Sequence, residues 1–129
     1  MTSKIQIEDV GAGIFYFNEI STGDHRPMVA ALLVENLGSQ PLTGFSIEVT
    51  VPTSERWIPI ANLAAEFTNP AANSKIEVGH GTTDNDPTIL PPGEAILLGI
   101  DLKFYPRLRV GVTAAAPTSI ALHSVWGGY

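Results

Sequence analysis

Three histidines, His25, His80 and His123, are the side chains here best suited to hold a metal or move a proton, and cysteine is absent. They are widely separated, with no H-x-H or H-x-x-x-H spacing that would bring two imidazoles to one ion. His123 stands between Leu122 and Ser124 and alternates with Ala121 and Val125. That setting predicts a half-buried structural or interface histidine. The most polar stretch is GHGTTDNDPT, Gly79 to Thr88. Its Asp84, Asn85 and Asp86 offer oxygen donors of the kind calcium gathers, about six to eight at a time. The D-x-D-x-D-G loop is missing, however, and Asp and Asn also build ordinary turns by bonding their own backbone. His80, Asp84 and Asp86 therefore mark a candidate ligand loop for calcium or carbohydrate, with Trp57 as an indole on which a sugar would stack.

Catalytic patterns are missing. No G-x-S-x-G elbow is present, and no serine or threonine has a neighbour suited to activating it. Glu8-Asp9 reads as a surface pair near the terminus, and Glu48 and Asp101 fall on polar strand faces. Gly11-Ala12-Gly13 precedes a strand, so it lacks the helix dipole that a phosphate loop exploits. The expectation is a protein that is not an enzyme and carries no cofactor and no metal. A formal charge of −6 with only seven Lys and Arg argues against nucleic acid or an anionic membrane as partner. The segment Tyr105 to Arg109, with two arginines and one ring, does not reverse that.

The elements that would position these residues have a period of two. Phe45, Ile47, Val49 and Val51 alternate with Ser46, Glu48 and Thr50. EAILLGIDLKF sets Ile96, Leu98, Ile100, Leu102 and Phe104 on one face. RLRVGVTA points Leu108, Val110 and Val112 inward. GIFYF, MVAALLVE and SIALHSVW are apolar on both faces, as befits central strands or strands covered by a partner. Turn signals at Asn36 to Pro41, Asn69-Pro70, Leu90 to Gly93, Tyr105-Pro106 and Ala116-Pro117 divide these runs. Prolines leave one helix-tolerant window, Ile60 to Phe67, with room for one short helical turn. The pattern predicts an all-β chain: an antiparallel two-sheet immunoglobulin-like β-sandwich of seven to nine strands. One domain covers residues 1–129, with 1–12 as an N-terminal strand or arm and 127–129 as a tail.

The order VENLGSQPLTGFSIEVTVP, then LPPGEAILLGIDLKF, then RLRVGVTA resembles immunoglobulin-like modules of the CARDB and adaptin-ear type. In those modules one strand ends in an Asn-x-Gly turn, the next ends in Val-Pro, and a Pro-Gly turn opens a long alternating strand. Asn36 to Gly38, Val51-Pro52 and Pro92-Gly93 occupy those places. The resemblance spans Val29 to Thr113 and speaks to fold. Peptide-capturing ears present basic residues beside an apolar groove, whereas this acidic chain offers only Arg56, Lys75, Lys103, Arg107 and Arg109 in that region. Their acidic peptide ligands do not carry over.

Low charge and abundant aromatics point to contact between chains. Hydrophobic residues make up 44% and charged residues 16%, below the quarter or so usual for small domains. Phe15, Phe17, Trp57, Trp126 and Tyr129 are the candidate interface residues, since exposed rings form the centres of interfaces. The expected function is protein interaction or assembly, with itself or within a larger complex. The partner would be protein, and neither nucleic acid nor membrane. The MTSKIQIEDVGAG start has no secretory pattern, so a cytoplasmic location is expected, with a virion or secreted particle as the alternative.

Overall fold

A computed structural model describes residues 1–23, 26, 28–59, 76–80, 90–102 and 107–128, with backbone alone for 76–80 and 102. These residues form ten strands: β1 Thr2–Val10, β2 Gly13–Tyr16, β3 Ile20–Ser21, β4 Met28–Asn36 and β5 Leu42–Thr50. The others are β6 Ile58–Pro59, β7 Ile76–His80, β8 Ala95–Leu102, β9 Arg107–Ala114 and β10 Thr118–Gly128. Both β2 and β3 pair with β9, one after the other, and the Phe17 amide donates to the Val110 carbonyl between them at 3.0 Å. They are thus one interrupted strand, which leaves nine strand positions. The helical window Ile60 to Phe67 lies outside the described residues.

The strands make two antiparallel sheets, β1-β10-β4-β8-β7 and β2/β3-β9-β5-β6. Pairing is nested along the chain: β1 with β10, β2/β3 with β9, β4 with β8, β5 with β6. Rolling up one long hairpin generates that order, and the outcome is the double-sheet arrangement of a jelly roll. The two-layer antiparallel sandwich is as expected. Within it, β10 sits between β1 and β4 in the sheet opposite β9, whereas the immunoglobulin order keeps the last two strands in one sheet.

Alternation decides the core. Leu32 and Val34 of β4, Ile96 and Leu98 of β8, and Ile120 and Leu122 of β10 meet Ile47, Leu108, Val110 and Val112 of the opposing sheet, all buried. MVAALLVE and SIALHSVW are central strands, in keeping with apolar residues on both faces. GIFYF is not: β2 lies at a sheet edge, with Ile14 and Tyr16 exposed. Residues 2–10 form a strand paired with β10 along its full length, and Gly127 and Gly128, expected as tail, continue β10 opposite Val29 and Met28.

Two turns tie the end of β4 to the approach of β8. Glu94 N–H donates to the Pro91 carbonyl at 3.2 Å and Gly93 has φ of +81°. This is a type II turn with Pro92 and Gly93 in its central positions, where only glycine accepts the second conformation without strain. Gly93 N–H then donates to the Asn36 carbonyl at 2.8 Å. Buried Asn36 uses its whole amide. Its Nδ2 donates to the carbonyls of Gln40 (2.7 Å) and Leu90 (3.0 Å), while its Oδ1 accepts from Gly38 N–H (3.2 Å) and Thr118 Oγ1 (3.1 Å). One side chain satisfies backbone groups of two chain segments and the Thr118 hydroxyl of a third, which is how a polar group is accommodated in a core.

Candidate interaction surfaces

The outer face of the β1-β10-β4-β8-β7 sheet is built by strand register. Ile5, His123, Leu33 and Leu97 lie opposite one another in a row across four strands. Neighbouring rows are Ile7, Ala121, Glu35 and Ala95 on one side, and Ser3, Val125, Ala31 and Gly99 on the other. Ile5 is 61% exposed, Ile7 65%, Leu97 49% and Val125 44%. Alternation forces this. In β1, β4, β8 and β10 the residues between core positions are themselves largely apolar, so a second apolar face is turned to solvent. His123 Nε2 contacts the Glu35 carboxylate on the adjoining strand, and the histidine is half-buried at the surface.

The outer face of the other sheet is a cluster of rings and guanidinium groups. Arg109 of β9 has its guanidinium carbon 3.9 Å from the Tyr16 ring centre and 4.8 Å from that of Trp57, and its Nε donates to Glu48 Oε1 at 2.5 Å. Arg107 lies 5.2 Å from the Trp57 ring centre, and its Nε and Nη2 donate to Glu19 Oε2 at 3.0 and 2.5 Å. Tyr16 covers Gly111, where an added Cβ would come within 2.8 Å of the ring. Sequence reading turned Leu108, Val110 and Val112 inward, which leaves Arg109 outward, but did not couple either arginine to Glu19, Glu48, Tyr16 or Trp57. The hint was the Arg-x-Arg period within a strand, and the partners are supplied by residues far away in the chain. Both arginines are matched by carboxylates, so the cluster is an internally neutral, cation–π-stacked surface.

The expected interface rings are scattered. Phe17 is 2% exposed and Trp126 is buried, its Nε1 donating to the Ser21 carbonyl at 2.9 Å, so both belong to this chain's own core and not to an outward face. Apolar sandwich interiors take up such rings readily. Phe15 is half-buried and meets Phe17 edge-on with ring centres 5.4 Å apart. Trp57 is half-buried under the guanidinium groups, and Tyr129 lies outside the described residues. The surface residues that sequence reading passed over are Ile5, Ile7, Leu97 and Val125, whose alternation with core positions was the available signal.

Of the candidate ligand loop, His80 is the last residue of β7, its backbone opposite Ile96, while Asp84 and Asp86 lie outside the described residues, as does His25. Among the described residues no three His, Asp or Glu side chains gather as a metal site would require. No helix among them is long and apolar enough to cross a membrane. No protein-family model matches the chain, and no curated protein is significantly similar to it.

Proposed function

We propose that this chain is a non-enzymatic assembly module that associates with copies of itself through the outer face of the β1-β10-β4-β8-β7 sheet. The observation that carries this reading is the row Ile5–His123–Leu33–Leu97 with exposed Ile7 and Val125 beside it. Contiguous apolar patches of more than a few hundred Å² are uncommon on monomers and mark contact sites. A second copy suits the face chemically, because Glu35 is matched by His123 within the chain and the rows are otherwise dominated by apolar and small residues. The ligand-loop alternative is weakened at Trp57, whose indole already carries two guanidinium groups.

Light scattering tests the proposal directly. The expected mass at micromolar concentration is a multiple of the 13.7 kDa chain. Leu97→Lys should shift it toward the single-chain value while leaving the far-ultraviolet circular dichroism of the folded chain unchanged. A wild-type mass equal to one chain would refute the reading.

A further inference from the structure

The edge strand β1 carries a pattern that is complementary to itself. Among the described residues β1 pairs with β10 along Thr2–Val10, and it ends the sheet on that side. Every second residue of an edge strand directs its N–H and C=O away from its one neighbour, which offers a template for another strand. Natural edges are commonly blunted by proline, a bulge, shortness or charged side chains, and in β1 only the last is present, as Lys4, Glu8 and Asp9. β1 has no proline, runs nine residues, and its register with β10 is unbroken.

An antiparallel copy of β1 placed about a two-fold axis at Gln6 sets each residue opposite a matching one. Ile5 faces Ile7 of the second copy and Lys4 faces Glu8, each twice by symmetry. Ser3 faces Asp9, and Thr2 faces Val10. Each pair has the same parity, so the partners share a face of the joined sheet. The four isoleucines then form one patch on the outer face, continuous with the row through His123, Leu33 and Leu97. Gln6, at the centre, is turned inward and held there: its Oε1 accepts from Asn18 N–H at 2.9 Å and its Nε2 donates to the Asn18 carbonyl at 3.4 Å. That anchor fixes the face that β1 presents.

We infer that a second copy of this chain docks on the β1 edge by antiparallel pairing centred on Gln6, joining two five-stranded sheets into one. The interface is isologous, as closed two-fold dimers require. This inference rests on the self-association reading and adds to the sheet face a second contact, along the sheet edge.

Charge exchange tests the register. Lys4→Glu sets Glu opposite Glu twice in the dimer, and Glu8→Lys sets Lys opposite Lys twice. Each should weaken the dimer by about tenfold in sedimentation equilibrium, given the usual size of cross-strand charge effects. The double variant Lys4→Glu/Glu8→Lys should restore wild-type affinity. Circular dichroism of each variant checks that the fold is kept. In the wild type, alternate β1 amides should exchange more slowly as concentration rises. If the wild type associates while both single variants bind as tightly as it does, edge pairing is wrong and the sheet-face reading stands. If the singles weaken association and the double variant fails to recover, the Gln6-centred register is wrong. A wild type that is monomeric overturns both readings.

Discussion

Asn36 Nδ2 donates to the Leu90 carbonyl at 3.0 Å across 54 positions of sequence. The same amide holds Gln40, Gly38 and Thr118, so one buried side chain closes the end of the sandwich where β4, β8 and β10 meet. Asn36→Ala removes four hydrogen bonds at a buried position, leaving the Leu90 carbonyl with only its Leu42 N–H donor, and is expected to cost about 3 kcal/mol. Asn36→Asp is expected to be at least as harmful, since a carboxylate has no N–H to give the Leu90 and Gln40 carbonyls. Urea unfolding of the two variants measures both. Equal stability of Asn36→Asp and wild type would contradict the role of Nδ2.

Gly38 and Gly93 are both turn glycines, yet they should respond differently to alanine. At Gly93 the φ of +81° strains any Cβ, although nothing crowds it, and the expected loss is about 1–2 kcal/mol. At Gly38 a Cβ would fall 2.0 Å from Thr118 Oγ1 and 2.6 Å from the Ser119 amide nitrogen. Backbone must move there, so Gly38→Ala is expected to cost about 2–3 kcal/mol. Thermal melts that rank the two the other way would show that β10 yields more easily than its central position implies.

The Glu48–Arg109 pair should behave as a coupled unit. Glu48 is nearly buried, and its Oε1 accepts from Arg109 Nε. Arg109→Met strands that carboxylate and is expected to destabilise by about 1–3 kcal/mol. Arg109→Met/Glu48→Leu should recover most of the loss, because apolar pairs often replace such ion pairs at little cost. Trp57 emission should change in both variants as a guanidinium leaves its ring. A double-mutant cycle with no coupling energy would mean the two side chains act independently.

Gln6→Ala should loosen β1 more than it lowers global stability. The lost bonds to Asn18 tie an edge strand to the opposite sheet, and edges open locally at low free energy. Hydrogen exchange is expected to speed up at β1 amides while β4 and β8 stay protected. Uniform acceleration across the sheet would instead place Gln6 in the global core.

The strands of the core were legible because alternation is local: Ile47 and Val49, Ile96 and Leu98, Leu108 and Val110 declare an inner face within a few residues. The aromatic runs were harder. In GIFYF consecutive rings erase the period, so nothing local says that Phe17 turns inward while Tyr16 lies across Gly111. Trp126 looked like a surface ring because glycines follow it, yet it is buried and its N–H finds the Ser21 carbonyl of the opposite sheet.

The sequence by itself determined that the chain builds two-sided strands separated by turns at Asn36 to Pro41 and Pro92-Gly93, and that its surface is poor in charge. Steric preference and side-chain period act over a handful of neighbouring residues, so they can be read from order alone. Only the tertiary structure decided which strands adjoin. β10 lies between β1 and β4, β1 is left at an edge, and Arg109 reaches Glu48, Tyr16 and Trp57. Those pairings join residues tens of positions apart, and they are settled when the whole chain buries one core, not by any single segment.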